Sequence, residues 1–321
     1  MRERATILFA GLMGALMLPF VITMSMTGVI SDGLVPLSEV DSGKVITVSS
    51  MSGTASMDLE MFLVQVLAAQ ISPDSEEEAL KAQAVIARTM LKKAMEANSI
   101  ADSSSLNVDY LTVEECKNQW GKKRYDKYMN RLENAVIATY GQTLTYENAY
   151  IDAMYHSTSI GNTISSEEAY GRAIPYLTEI SCSQDVESPD YMEVTMYSWE
   201  DMTGILDTLN NQGLLSGFSM EQAAAMTLAD RLKVENATAH GYVQTVSVGG
   251  ISVSGDAFAA AAGLQSHIYY IEVVDEQYRI VCLGKGHGLG LSQYTANSMA
   301  KEGADYTTIL KYFYPGTEVG Q

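Results

Sequence analysis

The chain has 321 residues, 47% of them hydrophobic and 18% charged, a balance that supports a folded body of one large or two small domains and excludes a disordered chain. Its 39 acidic residues against 20 basic ones give a formal net charge of -19; a phosphate backbone needs clustered Lys and Arg, so nucleic acid is excluded as a partner. The cysteines, Cys116, Cys182 and Cys282, lie far apart with no C-x-x-C spacing. They read as buried small hydrophobes, with room for at most one disulfide, rather than as a metal or redox motif.

Residues 5–30 carry no charge, a run longer than the roughly 20 residues that cross a ~30 Å hydrocarbon core. Arg2 and Arg4 precede it, so the positive-inside bias predicts a single-pass cell-membrane anchor within residues 1–30, a cytoplasmic N-terminus and an extracytoplasmic body. A cleaved signal peptide is the alternative, against which stand the length of the run and the lack of a small-x-small site near its end. Residues 31–56, with Gly, Ser and Pro at intervals, read as a linker containing a short strand at 44–48. The body is then 57–321.

Within the body, Leu59, Phe62, Leu63, Val66 and Leu67 recur at helical spacing, and Gln70 falls next on the same stripe. After a break at Ile71-Ser72-Pro73-Asp74, Ser75 and Glu78 have the S-x-x-E spacing of a capping box, predicting a second helix to about Met95. The Ser- and Asp-rich stretch 100–109 predicts a mobile surface loop, and 120–138 a helical segment. Strand signals follow at 143–146 and 150–155, in a hairpin 242–248 and 251–253 about Gly249-Gly250, and at 267–274 and 278–282. Residues 198–232 read as a helical insertion. The fold class is therefore α+β: an N-terminal helical pair, a mixed strand core and an inserted helical segment, walling a groove.

Two stretches carry the chemistry. In residues 284–294, Gly284, Gly286, Gly288 and Gly290 alternate with other residues, which lets backbone approach a ligand or adopt positive φ while His287 and Ser292 project. The Walker pattern fails because Gly284-Lys285 is followed by Gly286, and G-x-G-x-x-G fails at Leu289 and Leu291. In His156-Ser157-Thr158-Ser159, neighbours on a strand face opposite ways, so His156 and Ser157 are poorly placed to share a proton. His156 and Ser159 read instead as hydrogen-bonding groups of a cleft. The four histidines show no metal-ligand spacing, and neither a metal nor another cofactor is expected.

The helical pair with its Glu78-Ala-Leu-Lys-Ala-Gln-Ala-Val-Ile-Ala-Arg88, the block 141–163, the glycine-rich block 284–317, and smaller pieces at Pro175-Tyr176-Leu177, Ser188-Pro189, Gly255 and 263–266 occur in order over about 60–317. This series resembles the stage II sporulation protein D family of lytic transglycosylases, bacterial enzymes that cut the glycan strands of peptidoglycan. The resemblance implies a membrane-bound role in forespore engulfment, with peptidoglycan strands and stage II sporulation proteins P and M as partners. It assigns substrate binding to His156, Ser157, Ser159, His287, Ser292, Gln293 and Tyr294. One family glycine after Ser159 is replaced by Ile160.

Such an enzyme protonates the glycosidic oxygen and lets the sugar's own 6-hydroxyl attack, leaving a 1,6-anhydro end, with one carboxyl acting as acid and then base. Aligned without gaps on Glu78, the family's catalytic glutamate falls on Gln70, whose amide does not titrate. Three expectations follow. Another acid substitutes, with Asp74, Glu76, Glu77 and Glu78 nearby although a helix start explains them; or the groove binds glycan without cutting it; or the local register differs and another acid faces the cleft. From a different class, a membrane-anchored scaffold that recruits partners is the alternative.

Overall fold

The computed structural model describes residues 37–50, 53–96 and 98–321. The 3-10 turn Leu37–Glu39 belongs to one unit, Met1–Val40, and Asp41–Gln321 forms a second. The apolar run 5–30 expected as an anchor lies outside the described residues. Among the described residues no helix is long and apolar enough to cross a membrane.

The body begins with a hairpin, β1 (Val45–Ser50) against β2 (Gly53–Asp58), in which Val45 faces Asp58. Asp58 then caps helix α1 (Leu59–Gln70), accepting the Glu60 N–H at 2.8 Å. The expected stripe of Leu59, Phe62, Leu63, Val66 and Leu67 is wholly buried.

Helix α2 (Glu77–Ala94) starts without the expected capping box: its N-cap is Glu76, and no side chain caps it. Both groups of the expected box are bonded elsewhere. The Ser75 N–H, which Glu78 would have to accept, goes to the Ser72 carbonyl at 3.0 Å, and Glu78 instead accepts the Tyr306 N–H at 2.9 Å. A buried ion pair ties the two helices together, with Arg88 Nη2 at 2.7 Å from Glu60 Oε2.

Part of the stretch read as a mobile loop forms β3 (Ile100–Asp102), which pairs in parallel with β1. The helical segment that follows is two helices, α3 (Val113–Trp120) and α4 (Lys122–Ala138), broken at Gly121, whose φ of +70° continues neither. Strands β4 (Thr143–Tyr146) and β5 (Ala149–Tyr150) form a hairpin, and the two-residue β6 (Tyr155–His156) follows.

The second half supplies β7 (Met192–Tyr197), α5 (Thr203–Asn211), β8 (Leu232–Ala237), β9 (Val243–Val248), β10 (Ile251–Ser254), α6 (Gly255–Ala261), β11 (Ile268–Val274) and β12 (Gln277–Leu283). They build two antiparallel sheets, ordered β10-β9-β8 and β11-β12-β7. Leu206 and Leu209 of the expected helical insertion share a core with Val246, Phe258, Tyr278 and Ile280. The chain ends in β13 (Leu291–Ser292), α7 (Gln293–Lys301), α8 (Tyr306–Phe313) and β14 (Glu318–Gly320), the last beside β4. A separate core joins Val85 and Ile86 of α2 to Leu144, Leu291, Ile309 and Phe313. All three cysteines are buried and unpaired.

The pairing that matters for the site is the shortest. β6 and β13 run parallel, Leu291 opposite Tyr155 and Ser292 opposite His156, so two blocks more than a hundred residues apart in sequence share one wall.

Candidate functional site

A groove of about 820 Å³ opens along this wall. It is lined by Gln70 at the end of α1, by Met90 and Lys93 of α2, by residues 106–109, by 151–157, by Lys285, Gly286 and His287, and by Gln293.

Gln70 is held in a cluster of three amides whose orientation follows from one fixed acceptor. The backbone carbonyl of Gln70 can only accept, so Gln293 turns its Nε2 to it, at 2.8 Å. The same Nε2 donates to Gln83 Oε1 at 3.2 Å, and Gln83 Nε2 donates to Gln70 Oε1 at 3.0 Å. This leaves Gln70 Nε2 with no hydrogen-bond partner among the described residues.

The two histidines present opposite faces of the same chemistry. His156 is buried, and its Nδ1 lies 3.1 Å from the Leu289 carbonyl. A carbonyl accepts, so Nδ1 carries the proton and Nε2 is a bare acceptor, buried and without a partner among the described residues. His287 accepts the Leu289 N–H on Nδ1 at 3.0 Å, so its proton sits on Nε2. The ring centroids are 6.1 Å apart. Burial pushes both pKa values down to about 4, with the neighbouring histidines adding to the effect at His287. Both rings are neutral near pH 7.

Glycine is obligatory at two points of this wall. A Cβ on Gly290 would sit 1.9 Å from the Met154 carbonyl oxygen, at a φ of +72°. One on Gly286 would lie 2.7 Å from His156 Cβ. Backbone approach, read from the alternating glycines, is thus toward the neighbouring strand as well as toward the groove.

Of the residues singled out in the sequence, Gln70, His156, Ser157, His287 and Gln293 line the groove. Ser159, Ser292 and Tyr294 do not line it: the two serines are buried and Tyr294 is half-buried. The Ser159 N–H donates to Asp185 Oδ2 at 2.6 Å, and the Ser292 hydroxyl to the same carboxylate at 2.7 Å. Thr295 Oγ1 adds a bond at 2.6 Å to Asp185 Oδ1. Tyr294 contributes its N–H to the Ser157 carbonyl at 3.1 Å. Asp185 is wholly buried and staples the His156 segment to the start of α7. Asp185 carries no sequence motif; Gln83 lies inside the block 78–88 but shows there only as an amide among the alanines of a buried helix face.

The acids near Gln70 in sequence do not line this groove. Glu77 and Glu78 pair with Lys81 at 2.7 and 2.8 Å. Asp74 accepts the Tyr128 hydroxyl, which holds its carboxyl below the usual range. The backbone of Glu76 donates to Asn297. Two other carboxylates do line it. Asp152 is paired with Lys93 at 2.6 Å, whereas Asp109 has no hydrogen bond or ion pair among the described residues. The charge of Asp109 adds to burial in raising the Tyr155 hydroxyl pKa.

A family model described as stage II sporulation protein matches residues 48–146. Stage II sporulation protein D of Bacillus subtilis (strain 168) is 31% identical over 271 residues, covering 82% of this chain and 74% of that protein. The protein of the same name from Bacillus amyloliquefaciens is 30% identical over 284 residues, covering 85% and 77%. The amidase enhancer of Bacillus subtilis is 24% identical over 282 residues, 75% of this chain and 37% of that protein. With identity at this level over most of both chains, and with the motif blocks assembled about one groove, this chain belongs to the stage II sporulation protein D family.

Proposed function

We propose that the chain acts on the cell wall during sporulation, as a lytic transglycosylase-like protein that holds peptidoglycan glycan strands in the groove without cutting them. The 5–30 run anchors it in the membrane, its body is extracytoplasmic, and stage II sporulation proteins P and M are its proposed partners. The names of its relatives support the setting. The observation that carries the silent site is the amide cluster: the position aligned with the family's acid holds Gln70, bonded to Gln83 and Gln293, and none of the three titrates. General acid–base assistance is typically worth ~10²- to 10⁴-fold, so binding persists while most turnover is lost.

A second reading has one observation in its favour. Asp109 lines the same groove with no partner among the described residues, and a carboxylate there would restore turnover from a different wall.

Peptide-stripped glycan strands incubated with the full chain, analysed by mass spectrometry for anhydro-muramoyl ends, separate the two. Turnover confined to Gln70→Glu supports the silent site. Wild-type turnover abolished by Asp109→Asn supports the second reading. Equal turnover in wild type and both variants overturns both.

A further inference from the structure

On the far side of Gln70 lies a second pocket, of about 430 Å³, and Gln70 lines both. Its walls are Pro73 and Asp74 from the corner after α1, and Gln119, Trp120, Arg124 and Tyr128 from α3 and α4. Resting on the glycan reading above, we infer that this pocket is a second subsite of the groove, built for an acidic N-acetylated sugar whose carboxylate is recognised by Arg124.

The shape suits a sugar ring. Trp120 and Tyr128, both buried, meet edge to face behind it, with centroids 5.5 Å apart and planes at 89°, giving a rigid aromatic backing, and Gln119 supplies an amide beside it. Pockets for small polar ligands combine such apolar surface with a few placed polar groups.

The charge suits an acid. The chain is strongly acidic as a whole, yet the start of α4 carries Lys122, Lys123, Arg124, Lys127 and Arg131. Two of these are engaged by the corner after α1. Lys127 lies 3.5 Å from Asp74, and Arg131 donates to the Ser75 carbonyl. Asp74, the one acid lining the pocket, is taken up by the Tyr128 hydroxyl and by Lys127.

Arg124 is different. Its Nε donates to the Trp120 carbonyl at 3.3 Å, and the guanidinium lies 5.8 Å from the Tyr128 ring centroid. Its two terminal nitrogens have no hydrogen-bond partner among the described residues. Arg124 is exposed, and a guanidinium with its fork free matches a carboxylate in two parallel bonds, which a lysine ammonium does not reproduce. In a peptide-stripped strand every second sugar carries a free lactyl carboxylate, which a strand crossing Gln70 would bring to this pocket.

The test is equilibrium binding to the full chain in detergent micelles, with peptide-stripped glycan strands, carboxylate-free N-acetylglucosamine oligomers and strands that keep their peptides. Wild type is expected to prefer the carboxylate-bearing strand. Arg124→Gln should lose that preference, weakening binding to stripped strands by about ten-fold or more, as loss of a charged hydrogen bond implies, and leaving binding to the neutral oligomer unchanged. Arg124→Lys should recover it only in part. Equal losses for both glycans, or no loss, overturns the subsite while leaving the glycan reading intact. A loss seen only with peptide-bearing strands overturns the sugar assignment in favour of a peptide carboxylate. If wild type binds none of the three, the glycan reading fails and the subsite with it.

Discussion

Replacing Glu60 by Gln tests what holds Gln70 in place. Glu60 and Arg88 are both at 0% relative exposure. The guanidinium gives the carboxylate bonds of 2.8, 3.1 and 2.7 Å. Its remaining donors reach Thr139 Oγ1, Gln142 O and Val136 O at 3.3, 3.1 and 3.1 Å, so one side chain fastens α1, α2 and the end of α4. At the 2.7 Å contact the gross attraction is about 6 kcal/mol for an effective dielectric of ~20. Glu60→Gln keeps the volume and removes the counter-charge, leaving a guanidinium among neutral acceptors, and breaking a buried pair in this way costs about 3–5 kcal/mol. The exposed pair Arg279–Glu272, at 3.0 Å and 40% and 45% exposure, is the control and should change stability by about 1 kcal/mol or less when broken.

The assay is urea unfolding of the body from residue 41, followed by far- and near-ultraviolet circular dichroism. Glu60→Gln should lower the midpoint by far more than Glu272→Gln. The double variant Glu60→Leu/Arg88→Met, which removes both charges, should be more stable than Glu60→Leu alone. A Glu60→Gln loss below about 1 kcal/mol, or a double variant as poor as the sum of the singles, would refute the reasoning.

Two further outcomes are expected. His156 and His287 have folded pKa values of about 4 because burial disfavours the charged ring. The unfolded chain therefore binds more protons between about 6.5 and 4, and stability should fall as pH drops through that window, by up to ~1.4 kcal/mol per pH unit for each ring. Urea midpoints measured across it should decline, His156→Gln should flatten the decline, and a flat wild-type profile would contradict the burial of both rings. Asp185→Ala strands the Ser159 N–H and the hydroxyls of Ser292 and Thr295. At about 1–3 kcal/mol for each stranded donor, it should lose roughly 3 kcal/mol and weaken glycan binding. Asp185→Asn, which keeps an acceptor oxygen, should lose less in both measurements.

What the sequence made legible was local. The apolar stripe of α1 became a buried face ending at Gln70, and Gly249-Gly250 became the turn between β9 and β10, because period and turn chemistry act within a few residues. What it concealed was decided mostly at long range. Ser75 and Glu78 have the spacing of a capping box, but the Ser75 N–H is taken by the Ser72 carbonyl and the Glu78 carboxylate by the distant Tyr306 N–H. The Ser-rich stretch after Ile100 has little strand character of its own and pairs because β1 lies beside it. The parallel pairing of β6 with β13 involves two residues on each side, too few for any periodicity. Asp185 sits in a short 3-10 turn, Ser183–Glu187, where nothing in the neighbouring residues announces that three distant donors converge on it.

The direction of the amide chain has a chemical meaning. Because the sequence of donors runs from Gln293 through Gln83 to Gln70 Oε1, the group that Gln70 leaves unbonded is an NH₂. That group imitates a carboxylic acid caught in its protonated form: it offers hydrogen to an ether or hydroxyl oxygen at every pH, and it never parts with it. On the proposed glycan reading, a strand lying on Gln70 would meet the opening gesture of catalysis held permanently, so the groove would grip the bond that a carboxyl there would go on to break.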